Sequence, residues 1–515
     1  MKRLLRLALK FTVIVAAAIL IARFLFPLPD ISERAPSLAM PMSPSTTLSA
    51  RVIGENLAHP GKSGVFPLRS GHDALASRLA LIAAAEQSID AQYYIWHDDT
   101  SGILVLDAMY QAAQRGVRVR LLLDDNGVPG LDSFMAALNA HENFEIRLFN
   151  PSTIRSPKLL GYTFDFFRMN RRMHNKSFVV DGAVAIIGGR NIGDEYFEVG
   201  DDNFYVDMDV LAAGAIVPQT ASVFDEYWNS QSVFEAETII QEGGDLSAFV
   251  ARSLEIQTSA DAIKFLQEAY DSATEYTNGN TRLEWTNVQL VADDPVKGLG
   301  VATRDQLMIT RLGEILGGVE TRLDMVSAYF IPGPKGTAWF SELAETGKEV
   351  RILTNAMNTT DVLMVHSGYS KYRRELLEAG VRLYELKLRG GTSAAEVQNM
   401  PFGLSGASLH AKTFAVDDER VFIGSFNFDP RSATLNCEMG FLIDSPTMAR
   451  SMSNGFDGLL QTVSYQPELT PENKMIWREP QEDGQVTVYQ EEPGATWFQQ
   501  IAIVIIGLLP IEWML

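Results

Sequence analysis

Two stretches of the chain place a histidine, a lysine and an aspartate at identical spacing, His-x-Lys-x4-Asp. The residues are His174, Lys176 and Asp181 in the first stretch, and His410, Lys412 and Asp417 in the second. Side chains alternate between the two faces of a β-strand, so His-x-Lys presents both side chains on one face. A histidine nucleophile or proton carrier beside a fixed cation suits a reaction at an anionic tetrahedral phosphate.

A Gly-x-x-Asn turn follows each motif at the same distance, as Gly188–Asn191 and Gly424–Asn427. The amides of Asn191 and Asn427 are donors for phosphate oxygens, and we expect both to bind the substrate phosphate. A single His-x-Lys-x4-Asp is a weak signal, since most matches are charged surface strands. Two copies that share five positions leave coincidence below about one percent.

The elements ahead of each motif also repeat. In the first half the pattern predicts helices over 73–87, 102–115 and 131–141 and strands over 89–96, 117–123 and 144–149; in the second it predicts helices over 305–316, 335–346 and 371–379 and strands over 323–331, 349–353 and 381–386. Alternating strands and helices are typical of an α/β sheet with helices on its faces. We therefore expect a duplicated α/β fold.

The repeat sets the predicted domain boundaries. Two α-β-α units are expected over residues 65–235 and 291–465, separated by a connector over 236–290. A Pro/Ser-rich linker over 30–64 precedes them, and a polar stretch with an apolar tail over 466–515 follows.

Residues 1–29 carry a targeting signal. Basic residues precede the uncharged apolar run 11–22, and Arg23 follows it. The absence of a small-x-small cleavage site directly after the run favours an uncleaved membrane anchor over a cleaved signal peptide. Because the basic residues lie mainly before the run, the body is expected on the far side of the membrane from the cytoplasm. The apolar tail after Trp497 either lies in a membrane interface or packs on the core, and its periodicity leaves both readings open.

Composition narrows the functional classes. The formal net charge of −21 argues against general affinity for nucleic acid. The single cysteine, Cys437, excludes an intrachain disulfide and a cysteine-based metal site. The histidines outside the two motifs show no metal-ligand spacing, and we predict neither a metal nor a cofactor. A non-catalytic scaffold would be expected to lose part of a motif, whereas both are intact.

These motifs, in this order and number, resemble the phospholipase D superfamily. Within it, the chain is similar to bacterial cardiolipin synthases of the type C subgroup, through stretches such as 90–96, 188–197, 424–432 and 509–512. The resemblance implies two phospholipase D-like units related by a pseudo-two-fold axis around one shared active site.

The resemblance also implies a metal-free, two-step phosphatidyl transfer. By analogy His174 is the nucleophile that forms a phosphohistidine, and His410 is the acid and then the base. Lys176, Lys412 and the two asparagines would hold phosphate oxygens, while Asp181 and Asp417 would brace the strands. Asp207 and Glu438 follow the motifs at comparable places and are expected to orient the histidines, although the sequence does not say which carboxylate serves which histidine.

The function expected from the resemblance is cardiolipin synthesis from phosphatidylglycerol and a second phospholipid, at the bacterial inner membrane with the catalytic body in the periplasm. Phospholipid hydrolysis is the alternative, since the same residues would serve it. A nuclease is disfavoured by the acidic charge. The expected partners are phospholipids and the membrane but no nucleic acid, and the need for a protein partner is open.

Overall fold

The computed structural model describes residues 2–200, 204–267, 282–360, 362–387, 408–481 and 484–515. Two large mixed β-sheets dominate this part of the chain, and a two-stranded parallel ladder, Tyr205–Val206 with Ser408–Leu409, joins the two halves. In spatial order the first sheet contains Glu284–Thr286, Ser63–Leu68, Asp209–Gly214, Val184–Gly188, Ser177–Val180, Ser88–Tyr93, Arg118–Asp124, Phe144–Phe149 and Val233–Glu235.

The second sheet repeats this plan. Its strands, in spatial order, are Val288–Ala292, Met439–Ile443, Arg420–Gly424, Lys412–Val416, Arg322–Ser327, Glu349–Asn355, Arg382–Leu386, Ser464–Leu469, Met475–Pro480 and Val486–Tyr489. Ser88–Tyr93 in the first sheet and Arg322–Ser327 in the second occupy equivalent places. Each pairs in parallel with the next strand along the chain and antiparallel with the strand inside the histidine motif. The duplication predicted from the sequence is therefore present in the strand order and in the sense of pairing.

Helices cover both faces of each sheet. One face of the first sheet packs against Gly71–Ala84, Thr100–Gln114 and Asp132–Asn139, and the other packs against Val217–Trp228. In the second half the corresponding helices are Met308–Gly317, Gly333–Glu345, Arg373–Glu378 and, on the other face, Pro446–Asp457. The described residues also contain the helices Lys2–Leu25, Thr47–Ala58, Tyr162–Met169, Asp194–Phe197, Ala236–Ile239, Leu246–Gln257, Leu363–Ser370, Pro430–Thr434, Leu460–Val463 and Trp497–Gly507. Short 3-10 turns lie at Asp125–Gly127, Lys158–Gly161, Pro295–Leu299, Arg304–Gln306 and Glu512–Met514.

The two sheets share one apolar core. Ile187 and Val210 of the first sheet lie in the same buried cluster as Ile423 and Phe441 of the second. Burial of these side chains draws the two halves together, at roughly 1.5–3 kcal/mol for each fully buried large aliphatic or aromatic side chain. The strands that follow the two histidine motifs are therefore held against each other.

A buried ion pair is also duplicated. Arg120 Nε lies 2.6 Å from Asp90 Oδ1 in the first sheet, and Arg351 Nε lies 2.6 Å from Asp324 Oδ1 in the second. All four residues are buried. Because an unpaired buried charge is costly, each arginine fixes the register of two adjacent parallel strands.

Three segments predicted as connecting chain contain regular structure. Within 30–64, Thr47–Ala58 is a helix, and Thr47 N–H donates to Glu86 Oε2 over 2.8 Å. Within 236–290, Glu284–Thr286 adds an edge strand to the first sheet. Beyond residue 465, Met475–Pro480 and Val486–Tyr489 extend the second sheet, where Trp477 is buried and its Nε1 donates to Glu385 Oε2. The two edge strands have little signal in the sequence because few of their side chains are buried: Glu284–Thr286 is half-buried throughout and Val486–Tyr489 is mostly exposed.

Candidate active site

His174 is placed by a backbone contact between the two halves. Met173 forms a parallel bridge with Cys437, and the His174 N–H donates to the Cys437 carbonyl over 2.8 Å. This register sets the His174 side chain beside the next residue of the other half, Glu438. His174 Nδ1 lies 2.8 Å from Glu438 Oε2.

His410 is placed in the same way with the halves exchanged. Leu409 pairs in parallel with Val206, and the His410 N–H donates to the Val206 carbonyl over 2.8 Å. His410 Nδ1 lies 2.5 Å from Oδ2 of Asp207. Each motif histidine therefore contacts a carboxylate supplied by the opposite half.

Buried hydroxyl and carboxylate groups hold Glu438 in place. Ser425 Oγ donates to Glu438 Oε2 over 2.5 Å, and Ser432 Oγ donates to Glu438 Oε1 over 2.9 Å. The Glu438 N–H donates to Asp293, which is itself paired with Lys297 at 2.8 Å. All these groups are buried, so the carboxylate has little freedom to leave His174.

The support behind Asp207 is different. Gly189 occupies the position that Ser425 holds in the other half, and a Cβ atom there would lie 2.1 Å from Asp207 Oδ1. The Met208 N–H donates to Asp207 Oδ1 over 2.8 Å. The sequence difference between Gly-Gly-Arg-Asn and Gly-Ser-Phe-Asn therefore corresponds to a structural difference. A serine hydroxyl donates to Glu438 in one half, whereas a glycine leaves space for Asp207 in the other.

Both motif lysines are buried beside their histidines. Lys176 Nζ donates to the His174 carbonyl over 2.6 Å, and Lys412 Nζ contacts the His410 carbonyl and lies 2.8 Å from His410 Nδ1. Burial and the neighbouring Lys412 hold the pKa of Lys176 well below its ordinary value. Two lysines at one buried place form a site suited to an anion, because a bound anion stabilises the charged form of both.

The histidines are neutral in the ligand-free site. Burial, with the nearby lysines and against the pull of Glu438, lowers the pKa of His174 to about 4. Burial and Lys412 likewise lower the pKa of His410. Burial alone would raise the pKa values of Asp207 and Glu438, but the adjacent histidines and lysines outweigh it and hold both below their ordinary values. An ionised carboxylate can only accept, so Nδ1 of each imidazole carries the hydrogen and Nε2 has the lone pair. At His410 the hydrogen on Nδ1 is directed to Asp207, so Lys412 donates to the His410 carbonyl and not to Nδ1.

Aromatic rings line both histidines. The Tyr94 ring lies edge-on to His174 with 5.2 Å between centroids, and Tyr196 and Tyr205 lie 5.1 Å from His410. The sequence reasoning did not name these tyrosines as site residues. The signal was present, because Tyr94 lies in the stretch 93–95 (Tyr-Tyr-Ile), which matches 329–331 (Tyr-Phe-Ile) in the second half, and Tyr196 lies in the stretch after the first motif.

The two asparagines take part in packing around the pocket. Asn191 is fully buried. Its side-chain Oδ1 accepts from the Ile95 N–H over 3.2 Å, and its side-chain Nδ2 donates to the Tyr196 hydroxyl over 2.9 Å. Asn427 Oδ1 accepts from the Tyr329 N–H over 3.4 Å. The geometry gives Asn191 a role in holding Tyr196, and phosphate binding by either amide stays a prediction.

The motif aspartates lie away from the histidines. Asp181 accepts from the backbone N–H groups of Gln87 and Ser88 over 2.8 and 2.9 Å. Asp417 accepts from those of Thr321 and Arg322 over 2.8 and 2.9 Å. Each carboxylate thus ties the end of its motif strand to the start of the antiparallel strand beside it.

Outside the motifs, one group in the described part of the chain has metal-ligand spacing. One atom each of His97, Asp99 and Glu195 lie within 4.8 Å of one another. These side chains already have partners within the protein. Asp99 accepts from the N–H groups of Gly102 and Asp194, and His97 Nδ1 lies 3.2 Å from Glu195. This group therefore ties the start of the helix Thr100–Gln114 to the turn at Asp194.

The N-terminal helix is long and apolar enough to cross a membrane over Leu5–Leu25, and none of that stretch is buried. Arg23 Nε at its end donates to the Phe164 carbonyl over 2.9 Å. Such a helix fits a membrane-anchored protein.

Two α/β units that each carry the histidine motif define the class of the protein as phospholipase D-like. The family model described as "Cardiolipin synthase, PLD-like domain" matches residues 79–228 and 314–460, and the chain belongs to this family. The resemblance read from the sequence is thereby confirmed.

Individual relatives support the same family assignment. The chain is 41% identical over 471 residues to cardiolipin synthase C of Escherichia coli (strain K12), covering 91% of this chain and 99% of that protein. It is 26% identical to the major cardiolipin synthase of Bacillus subtilis (strain 168), covering 76% of this chain and 68% of that protein. The crystal structure of phosphatidylserine synthase from Haemophilus influenzae Rd KW20 shares the fold with a TM-score of 0.57 at 14% identity, covering 91% of this chain and all of that one.

Proposed function

We propose that the chain transfers phosphatidyl groups through a phosphohistidine and makes cardiolipin from phosphatidylglycerol and a second phospholipid. The observation that carries the proposal is the crosswise pairing of His174 with Glu438 and of His410 with Asp207. Since each half completes the histidine pair of the other, we infer one shared active site around a pseudo-two-fold axis. Family membership and the relatives named cardiolipin synthase support the choice of product.

The first half-reaction begins with His174. Its Nε2 lone pair attacks the phosphorus of the donor lipid, while Glu438 accepts from Nδ1–H and stabilises the imidazolium that forms. The bond from phosphorus to the departing alcohol breaks, and His410 gives its proton to that alcohol oxygen. The phosphodiester anion raises the pKa of His410 when it binds, which allows His410 to hold the proton that it delivers.

The second half-reaction reverses these roles. His410 takes the proton of the acceptor hydroxyl, the oxygen attacks the phosphohistidine, and the phosphorus–nitrogen bond breaks to free His174. Lys176 and Lys412 stabilise the negative oxygens, and the two asparagines complete the phosphate pocket. We further propose that the body faces the periplasm, because the basic residues lie mainly before the apolar run.

Lipid mass spectrometry on a cardiolipin-free bacterial strain tests the function. The wild-type chain should restore cardiolipin, and His174→Ala and His410→Ala, at equal membrane levels, should not. Accumulation of phosphatidic acid in place of cardiolipin would make the protein a hydrolase. No lipid change with the wild type would remove the lipid-transfer proposal.

Trapping the covalent intermediate tests the assignment of the two histidines. Purified His410→Ala should accumulate the labelled phosphatidyl group of a donor lipid on His174, because attack can precede the missing proton transfers at a reduced rate. His174→Ala should accumulate none. Label on His410 in the His174→Ala protein would reverse the assignment.

A further inference from the structure

The C-terminal helix Trp497–Gly507 presents a wide apolar face to solvent. Its inner side packs on the helix Leu363–Ser370, where Ser367 Oγ donates to the Ile503 carbonyl over 2.8 Å. The outward side chains at this end of the chain, 49–81% exposed, are Trp497, Phe498, Ile501, Val504, Ile505 and Leu508. No charged residue occurs from 497 to 511. A continuous exposed apolar face of this kind marks a surface that binds something.

A second exposed apolar edge lies beside the first motif. It comprises Leu159, Leu160, Phe166 and Phe167, which are 74%, 48%, 37% and 66% exposed. Phe164 of the same helix, Tyr162–Met169, is buried and stacks on Phe26, with 6.1 Å between ring centroids. This edge therefore adjoins the end of the N-terminal apolar helix.

Arg431 connects the two apolar elements next to the active site. Its backbone N–H donates to the Leu515 carbonyl over 2.8 Å, and its guanidinium donates to the Met514 carbonyl over 3.1 Å. The same guanidinium donates to the Asn170 carbonyl over 3.0 Å, at the end of the helix Tyr162–Met169. The following residue, Ser432, holds the carboxylate that contacts His174. The end of the tail and the end of that helix are thus both fixed at the turn that builds the site.

We propose that the outer face of Trp497–Leu508 and the edge Leu159–Phe167 form a rim that lies in the interfacial layer of a phospholipid bilayer. The bilayer is the occupant because Arg23, at the end of the membrane-length helix, contacts Phe164 and Asp165 of this same edge. The bilayer that receives that helix therefore begins next to the rim. Trp497 and Trp513, both exposed, suit the headgroup region, where tryptophan is enriched.

The rim rests on the proposed function, since it takes the substrate to be membrane phospholipid. It brings the bilayer surface to the turn that carries Arg431 and Ser432. A donor lipid then needs to leave the bilayer only partly to reach His174. The full chain has a net charge of −21, so an anionic membrane repels its acidic surface and is contacted by the apolar side chains of the rim.

Site-specific labelling tests the contact directly. The native Cys437 is fully buried, and burial raises the pKa of its thiol to about 12, so an introduced cysteine takes the label selectively. The full chain carrying Leu508→Cys is labelled with an environment-sensitive fluorophore and reconstituted in vesicles of phosphatidylglycerol and phosphatidylethanolamine. Leu57→Cys is the matched control, because both leucines are 81% exposed and Leu57 lies on the body helix Thr47–Ala58.

We expect spin-labelled lipids to quench the Leu508 site at least threefold more strongly than the Leu57 site, and aqueous iodide to show the reverse order. Equal access of iodide to both sites would overturn the proposal. So would protection of the Leu508 site from both quenchers, because a second copy or another protein would then cover the helix.

An activity measurement separates the rim from the chemistry. Ile501→Glu combined with Ile505→Glu should lower the ratio of transfer on vesicle lipids to transfer on a short-chain, monomeric phosphatidylglycerol about tenfold, and Leu57→Glu should leave that ratio unchanged. An unchanged ratio in the double variant would contradict the rim. If the wild type transfers nothing on either substrate, the proposed function fails, while the quenching result still decides the membrane contact.

Discussion

His174 Nδ1 lies 2.8 Å from the carboxylate of Glu438, a residue 264 positions further along the chain. The contact exists because Met173 forms a parallel bridge with Cys437, which places the following residues, His174 and Glu438, side by side. Leu409 and Val206 produce the same relationship for His410 and Asp207. The imidazole orientation in each half is therefore set by the other half, and neither half alone contains a complete pair.

Replacing Glu438 by glutamine tests this dependence. Glu438→Gln keeps the shape of the side chain but removes the charge that, in the proposed mechanism, fixes the Nδ1–H tautomer and stabilises the imidazolium. We expect kcat for phosphatidyl transfer to fall on the order of 10²–10⁴-fold with little change in KM. Asp207→Asn should act in the same direction through His410. Steady-state kinetics on the purified protein measures both effects.

Glu468→Gln is the control for these variants. Glu468 forms an exposed pair with Arg478 at 2.7 Å, and exposed pairs contribute little. Its activity should stay within twofold of the wild type. A Glu438→Gln variant with kcat within threefold of the wild type would show that the carboxylate is a packing partner only.

The sequence predicted the participants of the site but not their partners. Spacing identified the histidines and lysines as candidates, because they lie in a repeated motif, whereas the two candidate carboxylates came from the resemblance to the family. Which carboxylate meets which histidine depends on the bridges Met173–Cys437 and Leu409–Val206, contacts over more than 200 residues that local pattern does not encode. The tyrosines beside the histidines lie in stretches that the sequence marks, but their contact with the histidines depends on the fold.

Part of the fold was also predictable from the sequence and part was not. The duplicated strands and helices were predictable because hydrophobic period and repeat agree in both halves. The edge strand Val486–Tyr489 was not, since Val486 and Val488 are largely exposed and the surrounding sequence is polar and acidic. Thr47–Ala58 follows a Pro/Ser-rich stretch, and only Val52 among its large apolar side chains is fully buried.

The lowered pKa of His174 predicts how stability depends on pH. The folded state keeps His174 neutral down to about pH 4, whereas an unfolded chain binds that proton near pH 6.5. Between these values the unfolded state holds more protons, so this histidine makes the wild type lose stability as pH falls from about 6.5 to 4. His174→Asn cannot take up the proton. Its Tm relative to the wild type should rise by roughly 2 °C or more between pH 7 and pH 4.5.

His97 provides a comparison of opposite sign. Its hydrogen bond to Glu195 raises its pKa, so its stabilising effect is present at low pH and is lost as pH rises through the raised value. His97→Asn should therefore lower the Tm more at pH 5.5 than at pH 8. Parallel shifts for both variants across this range would contradict the neutral assignment of His174.

The motif aspartates should affect stability more than catalysis. Asp417 accepts charge-assisted hydrogen bonds from the Thr321 and Arg322 N–H groups, and its φ of 56° is one that asparagine tolerates. Asp417→Asn should lower the free energy of unfolding by about 1–2 kcal/mol while kcat per folded molecule stays within threefold. Lys176→Met should affect catalysis more than stability, because it removes the buried lysine beside His174. A loss of kcat in Asp417→Asn above tenfold at full folding would place that carboxylate in the chemistry.

The unequal seating of the two carboxylates predicts unequal responses to substitution at equivalent positions. In Gly189→Ala the new Cβ, 2.1 Å from Asp207 Oδ1, must displace the carboxylate that orients His410. Transfer should fall at least 100-fold, because misplacing a catalytic group by about 1 Å costs that much. Ser425→Ala removes one of two hydroxyl donors to Glu438 and leaves Ser432 in place, so a loss of about tenfold is expected. Ser425→Gly should resemble Ser425→Ala. Steady-state kinetics on the three variants, with Tm measured to confirm folding, tests this difference. Equal losses of transfer in Gly189→Ala and Ser425→Ala would mean that the two carboxylates are equally sensitive to substitution at these equivalent positions.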